Sequence, residues 1–512
     1  MSNFSRVYSA QTNALKGQII DVEVDVSKNT LHAFSIVGLP DKAVEEARDR
    51  VSSAIKNTGH KPPKQQYQKI IVSLSPAEIK KEGSYFDLSI ALGYLLSEKY
   101  ISFNPEEKLF IGELSLNGEL RPIRGALPIA QEAKRNGFKE LYLPKENAQE
   151  AALVDGITIY GVSTLKEIID HLIENEGEDF SLEALPKTKI KYKDQKYTID
   201  FSDIKGQASV KRGLEIAAAG GHNIAMSGPP GTGKTMLARV FSSILPKLSH
   251  DDILEITGIH SIAGAIKDGL VTDPPFRSPH HTSSYVSLIG GGTYPKPGEV
   301  TLAHRGVLFL DEFPEFERRA IESLRQPLED NIVVISRAKG TAHFPSNFIL
   351  IAAMNPCPCG NYRTNAKECI CTPSDLARYQ RKVSGPIMDR IDMWVQVENI
   401  DFDTLSSKSK SGDETKVIKK RVEDARDIQR KRFEKLERNI QKNSEMNVKD
   451  LQSTISLSDD VKTLLNESAK KLNLSPRGYH RVLKLAQTIA DLDTSESIHD
   501  THILEALQYR PR

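Results

Sequence analysis

Hydrophobic and polar positions follow different rhythms along this chain, and the changes between them divide it. Over residues 1–172, strand-like runs ("IIDVEVDV", "KIIVSL", "ELYL") are interleaved with amphipathic stretches such as "KAVEEARDRVSSAIKNTG". That mixture predicts a compact α/β domain. The segment "ENEGEDFSLEALPKTKIKYKDQKY" is charged and poorly periodic, and predicts a linker over 173–202. From 203 to 398, short apolar runs alternate with helical stretches: "NIAMSG", "GVLFLDE", "VVISR", "FILIAAMN". Buried strands of this kind, spaced by helices, predict a parallel-sheet α/β domain. Over 399–512 the strand signals fade and helical periodicity dominates.

Composition narrows the class without deciding the function. The chain has 512 residues, 39% hydrophobic and 27% charged, which fits globular domains. A formal net charge of +1 gives no global attraction to nucleic acid, so any such binding must come from local patches. No run approaches the ~18 apolar residues of a membrane span, so no membrane partner is expected. The first residues lack a signal-peptide core. The 4 cysteines are too few for a secreted disulfide scaffold, which points to a reducing cytoplasm.

Three strand tips carry the candidate chemistry. "GPPGTGKT" comprises Gly228, Pro229, Pro230, Gly231, Thr232, Gly233, Lys234 and Thr235 and fits G-x-x-x-x-G-K-[ST]. An apolar run precedes it and a helix-compatible run follows, as a phosphate loop requires. Glycines let backbone N–H groups face phosphates, and the helix N-terminus adds partial positive charge. Lys234 is expected to reach the β- and γ-phosphates of ATP, and Thr235 to hold Mg²⁺. In "VLFLDE", Asp311 and Glu312 emerge at a buried strand's carboxyl end, where open parallel sheets bind ligands. Asp311 is expected to hold Mg²⁺ through water and Glu312 to polarise the attacking water. "FILIAAMNP" puts Asn355 at a third tip, where an amide can orient that water. The competing reading of Asn355 is a turn former before Pro356.

These motifs, in this order, resemble the AAA+ ATPases. "FRSPHHTSSYVSLIGGGTYPKPGEVTLAHRGVLFLDEFPEF" resembles their magnesium-chelatase-like branch, and nearly the whole chain is similar to the ComM/YifB family. The resemblance implies a homo-hexameric, DNA-dependent ATPase, with branch migration or helicase activity in recombination or natural transformation. It also implies an arginine finger at Arg390 in "SGPIMDRIDM", reaching the neighbouring subunit's ATP, and a second sensor at Arg477 acting in cis from a lid helix. Ile204 and Gly206 in "DFSDIKGQ" match the segment that flanks adenine. The N-terminal domain resembles the proteolytic domain of Lon, with its ribosomal S5 domain 2-like fold. Peptidase work there would need a Ser–Lys dyad. Tyr85 stands where the serine is expected and Pro128 where the lysine is expected, which leaves a platform for DNA or subunit packing.

Helicase-like rings of this class place loops in a central pore. "NIVVISRAKGTAHFPSNF" reads as a hairpin with Arg337 and Lys339 near its tip, and "SLIGGGTYPKPGEV" as a loop with Lys296 and Tyr294. His280 and His281 in "RSPHHTSS" read as loop or substrate-contact residues, since no third metal ligand is spaced for them.

"CPCGNYRTNAKECIC" holds Cys357, Cys359, Cys369 and Cys371. Two C-x-C pairs over 357–371 can supply four thiolates for a structural Zn²⁺; free or redox-active thiols, an iron–sulfur cluster or another metal are the alternatives. The segment leaves the ATPase core just beyond Asn355, so it is expected as an ordered protrusion. Arg363 and Lys367, with Asn361 and Asn365, are placed to touch DNA phosphate. The alternative function is a chelatase-type ATPase that remodels a protein partner.

Overall fold

The computed structural model describes the whole chain except residues 1–2, 66, 174–180, 191, 193–198, 267–268, 293–294, 338–339, 364–366, 402, 404–405, 407–412 and 512. Its contacts divide it into two units, one of residues 1–191 with 250–271, the other of 192–249 with 272–512.

The first unit is built on a seven-stranded sheet. Its strands are β1 (Asn3–Asn13), β2 (Lys16–Lys28), β3 (Ala33–Val37), β4 (Gln68–Ser75), β5 (Lys108–Phe110), β8 (Glu140–Pro144) and β9 (Thr158–Val162), in the order β3-β4-β2-β1-β5-β8-β9. A small antiparallel pair, β6 (Glu113–Leu114) and β7 (Leu120–Arg121), stands apart from it. β1, β2 and β4 pair antiparallel, whereas β3 runs parallel to β4 and β5, β8 and β9 run parallel to one another. The alternation in "IIDVEVDV" explains the pairing. Val22, Val24 and Val26 turn into the core beside Ile70, Val72 and Leu74, and the intervening acids face outward.

Helices α1 (Lys42–Asn57) and α2 (Asp87–Ser97) cover that apolar face. Asp41 caps α1 by accepting from the Val44 N–H at 2.9 Å. Gly93 lets α2 come close to β2, since a Cβ there would stand 2.8 Å from Val24 Cγ2. Helices α3 (Ala126–Arg135), α4 (Lys145–Ala151) and α5 (Leu165–Leu172) complete the layer sequence. The helix His250–Ala263 belongs to this unit although it lies between segments of the other. Ser261 Oγ accepts from the Gly125 N–H at 2.8 Å at the start of α3, and a Cβ on Gly258 would touch Pro128.

No peptidase dyad forms among the described residues of this unit. The Tyr85 phenol donates to the Arg124 carbonyl at 3.2 Å, and Pro128 lies within α3. Ser84 donates to the Glu113 carboxylate, and the buried Lys81 ammonium donates to the Pro76 carbonyl.

The second unit carries a five-stranded parallel sheet, in the order β11-β14-β17-β10-β18. These are β10 (Ile224–Ser227), β11 (Phe276–Arg277), β14 (Val307–Leu310), β17 (Ile349–Met354) and β18 (Met393–Gln396). β14 and β17 are buried along their entire length, as continuous apolar runs in a doubly covered sheet should be. Two hairpins leave the sheet: β12 (Gly290–Gly291) with β13 (Lys296–Pro297), and β15 (Ile332–Arg337) with β16 (Gly340–Pro345). Helices α6 (Ala208–Gly220) and α7 (Lys234–Phe241) flank β10 in sequence. The C-terminal part is helical, with Thr415–Phe433, Asp459–Lys471, Pro476–Leu492 and Asp500–Gln508 among its helices.

Candidate active site

β10, β14 and β17 lie side by side and in parallel, so their carboxyl tips fall in one row. The chain after β10 is the glycine-rich loop. Gly231 and Gly233 take φ of 80° and 86°, a region that favours glycine. Gly228 is required for a different reason: a Cβ there would lie 2.2 Å from the Val397 carbonyl oxygen. Gly233 also precedes α7, whose first residue is Lys234.

The Lys234 ammonium is held inside this loop. It donates to the carbonyls of Gly228 and Pro229 at 2.7 and 2.8 Å and to Asn355 Oδ1 at 3.2 Å. Burial lowers its pKa, against the opposing pull of Asp311 and Glu312. Thr235 Oγ1 donates to Asp311 Oδ2 at 2.7 Å, and Asp311 Oδ1 accepts from the Glu312 N–H at 2.9 Å. A cavity of about 180 Å³ lies among Lys234, Asp311, Glu312, Asn355, Cys357 and Tyr379. Pro229, Pro230 and Thr232 complete the loop, with Thr232 Oγ1 donating to the Pro229 carbonyl at 2.9 Å. Ile204 is buried, and Gly206 takes φ of 58° against Ile400, on the chain that continues past Val397.

Glu312 has two features that its sequence context does not announce. It is a non-glycine residue in the left-handed region, φ 51°, a conformation that costs energy and is held by its surroundings. Its Oε2 lies 2.9 Å from His281 Nδ1. β11 runs parallel to β14, so the chain leaving β11 passes the tip that carries Asp311 and Glu312. The His280 and His281 rings lie with centroids 4.2 Å apart and planes tilted by 33°.

The two arginines lie elsewhere. Asn223, just before β10, donates through Nδ2 to the Arg390 carbonyl at 3.2 Å, and its N–H donates to Asp392 Oδ2 at 3.0 Å. Arg390 is thus at the amino end of the strand whose carboxyl end feeds the phosphate loop. Five residues of extended chain from Asn223 to Gly228 span roughly 16 Å. The Arg390 guanidinium pairs with Glu329 and donates to the Pro386 carbonyl at 2.7 Å. Arg477 Nη1 lies 3.5 Å from the same Glu329 carboxylate. The two guanidiniums, Arg390 first, hold the Glu329 carboxyl below its usual range. Arg481 donates to the Asp389 carbonyl, and a cavity of about 790 Å³ opens among Glu329, Arg390, Asp392, Arg477, Arg481 and Lys484. Arg477, expected to act in cis, shares an acid with Arg390 at the end of the sheet remote from Lys234.

The cysteines converge. Cys357 Sγ lies 3.4 Å from Cys359 Sγ and 3.8 Å from Cys369 Sγ, Cys359 and Cys369 are 3.6 Å apart, and all four sulfurs fall within 4.8 Å of one another. Those separations exclude disulfides, whose S–S bond is about 2.05 Å. A tetrahedral shell with Zn–S of about 2.3 Å has S···S near ~3.8 Å, so the donor set fits a single zinc-sized ion. The segment has an exposed part and a buried part. Arg363 and Lys367 are exposed on it, but Cys357 is fully buried and lines the cavity that holds Lys234 and Asp311. Lys296 is exposed on β13. Lys339, Tyr294, Asn365 and the Arg337 side chain lie outside the described residues.

Parallel strands with polar groups at one row of tips, followed by a helical part, fit an AAA+ ATPase, and the family matches place the chain in the magnesium-chelatase branch. Residues 200–405 match magnesium chelatase subunit ChlI, residues 22–147 match the ChlI subunit model of Mg-chelatase, and residues 412–510 match the ChlI C-terminal model. The chain belongs to the ComM/YifB family. It is 39% identical over 509 residues to competence protein ComM of Haemophilus influenzae, covering 98% of this chain and 97% of that one. It is 40% identical over 493 residues to YifB of Salmonella typhimurium, covering 96% and 94%. A shorter match, 42% identity over 77 residues, relates 14% of the chain to 14% of Lon protease 2 of Bacillus subtilis. Among the described residues no helix is long and apolar enough to cross a membrane.

Proposed function

We propose that this chain is an ATP-hydrolysing motor that assembles as a homo-hexameric ring and acts on DNA, in branch migration or a related helicase activity. The observation that carries the reading is the separation of Lys234 and Asp311 from Arg390 across the length of β10. A subunit built this way cannot bring Arg390 to its own triphosphate, but in a ring it presents Arg390 to a neighbour's. Arg477 acts from the same side, because it shares Glu329 with Arg390.

In this reading the phosphate loop and Lys234 hold the β- and γ-phosphates of ATP. Ile204 and Gly206 border the adenine. Thr235 and Asp311, already joined by a hydrogen bond, are the ligands for Mg²⁺, which would neutralise phosphate charge. Glu312 takes up the proton of the attacking water while Asn355 orients that water. The neighbour's Arg390 neutralises charge on the transferring phosphoryl group. The four cysteines hold zinc. Lys296, Arg337, Lys339, Arg363 and Lys367 supply phosphate contacts to DNA, and the binding should weaken steeply with salt. The competence name of the Haemophilus relative supports a role in transformation.

The ChlI matches favour one second reading, a chelatase-type ATPase that remodels a protein partner. ATPase assays with and without forked DNA separate the two. Stimulation by the fork supports the motor; stimulation only by a protein partner supports the remodeller.

A further inference from the structure

The cysteine centre adjoins the proposed nucleotide site at three points. Cys357 follows Asn355 by two residues, is fully buried, and forms a wall of the cavity that contains Lys234, Asp311 and Glu312. Gly360, in the turn after Cys359, packs on the phosphate loop itself. A Cβ at Gly360 would stand 2.5 Å from Pro230 Cδ, and its φ of 81° is one that glycine adopts without strain. Tyr379, in the helix Pro373–Gln380 that begins just past Cys371, lines the same cavity and is hydrogen-bonded to the Asn355 backbone.

A loop of this length with four thiols has little apolar material of its own. Cys359, Cys369 and Cys371 are partly exposed, and Ile370 between two of them is 85% exposed. Without a metal, thiol contacts and the backbone N–H groups of Ile370 on Cys359 and of Cys359 on Cys371 draw the two C-x-C pairs together, while the Tyr362 N–H donates to Cys357 Sγ at 3.3 Å. A bound ion replaces those weak contacts by four strong bonds, and its binding energy becomes ordering energy for the loop. Backbone N–H groups aimed at sulfur are the usual outer shell of such a centre.

We infer that Cys357, Cys359, Cys369 and Cys371 bind one zinc ion whose presence sets the affinity of the adjoining site for ATP, by fixing Gly360 against Pro230 and Cys357 and Tyr379 around Asn355. The coupling half of this inference rests on the ATP reading above; the metal half does not. Zinc is thus a structural wall of the nucleotide site, and a chain without it has a phosphate loop that has lost one of its supports.

The test uses the full chain. Zinc per chain is measured on purified protein, and affinity for a fluorescent ATP analogue is measured before zinc chelation, after it, and after zinc is restored, with magnesium in excess throughout. The expected results are one zinc per chain, nucleotide affinity about tenfold or more weaker after removal, and recovery on re-addition. Gly360→Ala guards against simple misfolding on metal loss. It should keep its zinc and still bind nucleotide several-fold more weakly, because it strains the turn at Gly360 and disturbs the contact with Pro230 while leaving all four thiolates in place. A chain purified without zinc and unable to take it up stoichiometrically overturns the metal centre. Equal nucleotide affinity with and without zinc, or parental affinity in Gly360→Ala, overturns the coupling. Nucleotide that fails to bind even the zinc-loaded chain overturns the ATP reading and the coupling together, while the zinc count still decides the centre.

Discussion

Residue by residue, the candidate site shows why short motifs can be read and their partners cannot. Asp311 and Asn355 sit at the ends of buried strands, where a polar side chain after an apolar run has few other places to go, and Lys234 and Thr235 open the helix that follows a glycine-rich loop. His281 lacks such a signal. It was visible only as half of a His pair in a loop, and its 2.9 Å approach to Glu312 depends on β11 lying beside β14. Glu329, which receives both arginines, sits in "RQPLEDN" with nothing local to mark it. Two predictions belong here. Glu312→Gln should retain ATP binding and lose about 10²–10⁴-fold in turnover, as expected for removal of a general base. His281→Ala should leave KM for ATP unchanged and lower kcat about fivefold to tenfold, because the carboxylate loses its orientation and the phosphate contacts do not. A change in KM with kcat intact would show that His281 supports binding instead.

At the level of elements, periodicity located the strands well and missed what long-range packing decides. β2 falls where alternation places it, because one face is apolar and the other acidic. The helix His250–Ala263 has buried residues on most of its surface, including Ile253, Ile256, Thr257, Gly258 and Ile259, so its sequence could not say which unit it serves. The decisive contacts, at Gly125 and Pro128, are more than a hundred residues away in sequence. Similarly, the cysteine segment leaves a strand tip, and only folding sets Cys357 beside the Lys234 cavity and Gly360 against Pro230 of the phosphate loop. Packing between α2 and β2 gives a stability prediction. Gly93→Ala would place a methyl 2.8 Å from the Cγ2 of buried, β-branched Val24. Overpacking costs about 1–3 kcal/mol, and the helix-propensity gain of Ala over Gly returns about 1 kcal/mol. The net is a loss near 1 kcal/mol, read as a lower denaturant midpoint for the first unit's transition. A midpoint equal to or above the parent's would mean that Val24 yields at no cost.

For the whole molecule, the proposed ring makes catalysis a property of an assembly. The groups proposed to hold nucleotide lie at the carboxyl tips of the sheet, while Arg390, Arg477 and Arg481 lie at its amino end, gathered around Glu329 and Asp392. A closed ring joins the two ends because each subunit contributes one side to every seam. The most direct test mixes two inactive proteins. Lys234→Ala lacks the phosphate clamp but keeps its arginines; Arg390→Ala keeps the clamp but offers its neighbour none. Each alone should hydrolyse ATP hardly at all. In an equimolar mixture, random assembly pairs an intact clamp with an intact neighbouring arginine at about a quarter of the seams, so turnover should recover toward that fraction of the parental rate. Mixed oligomers that remain as inactive as their components, or an Arg390→Ala protein that alone matches the parent, would contradict the account.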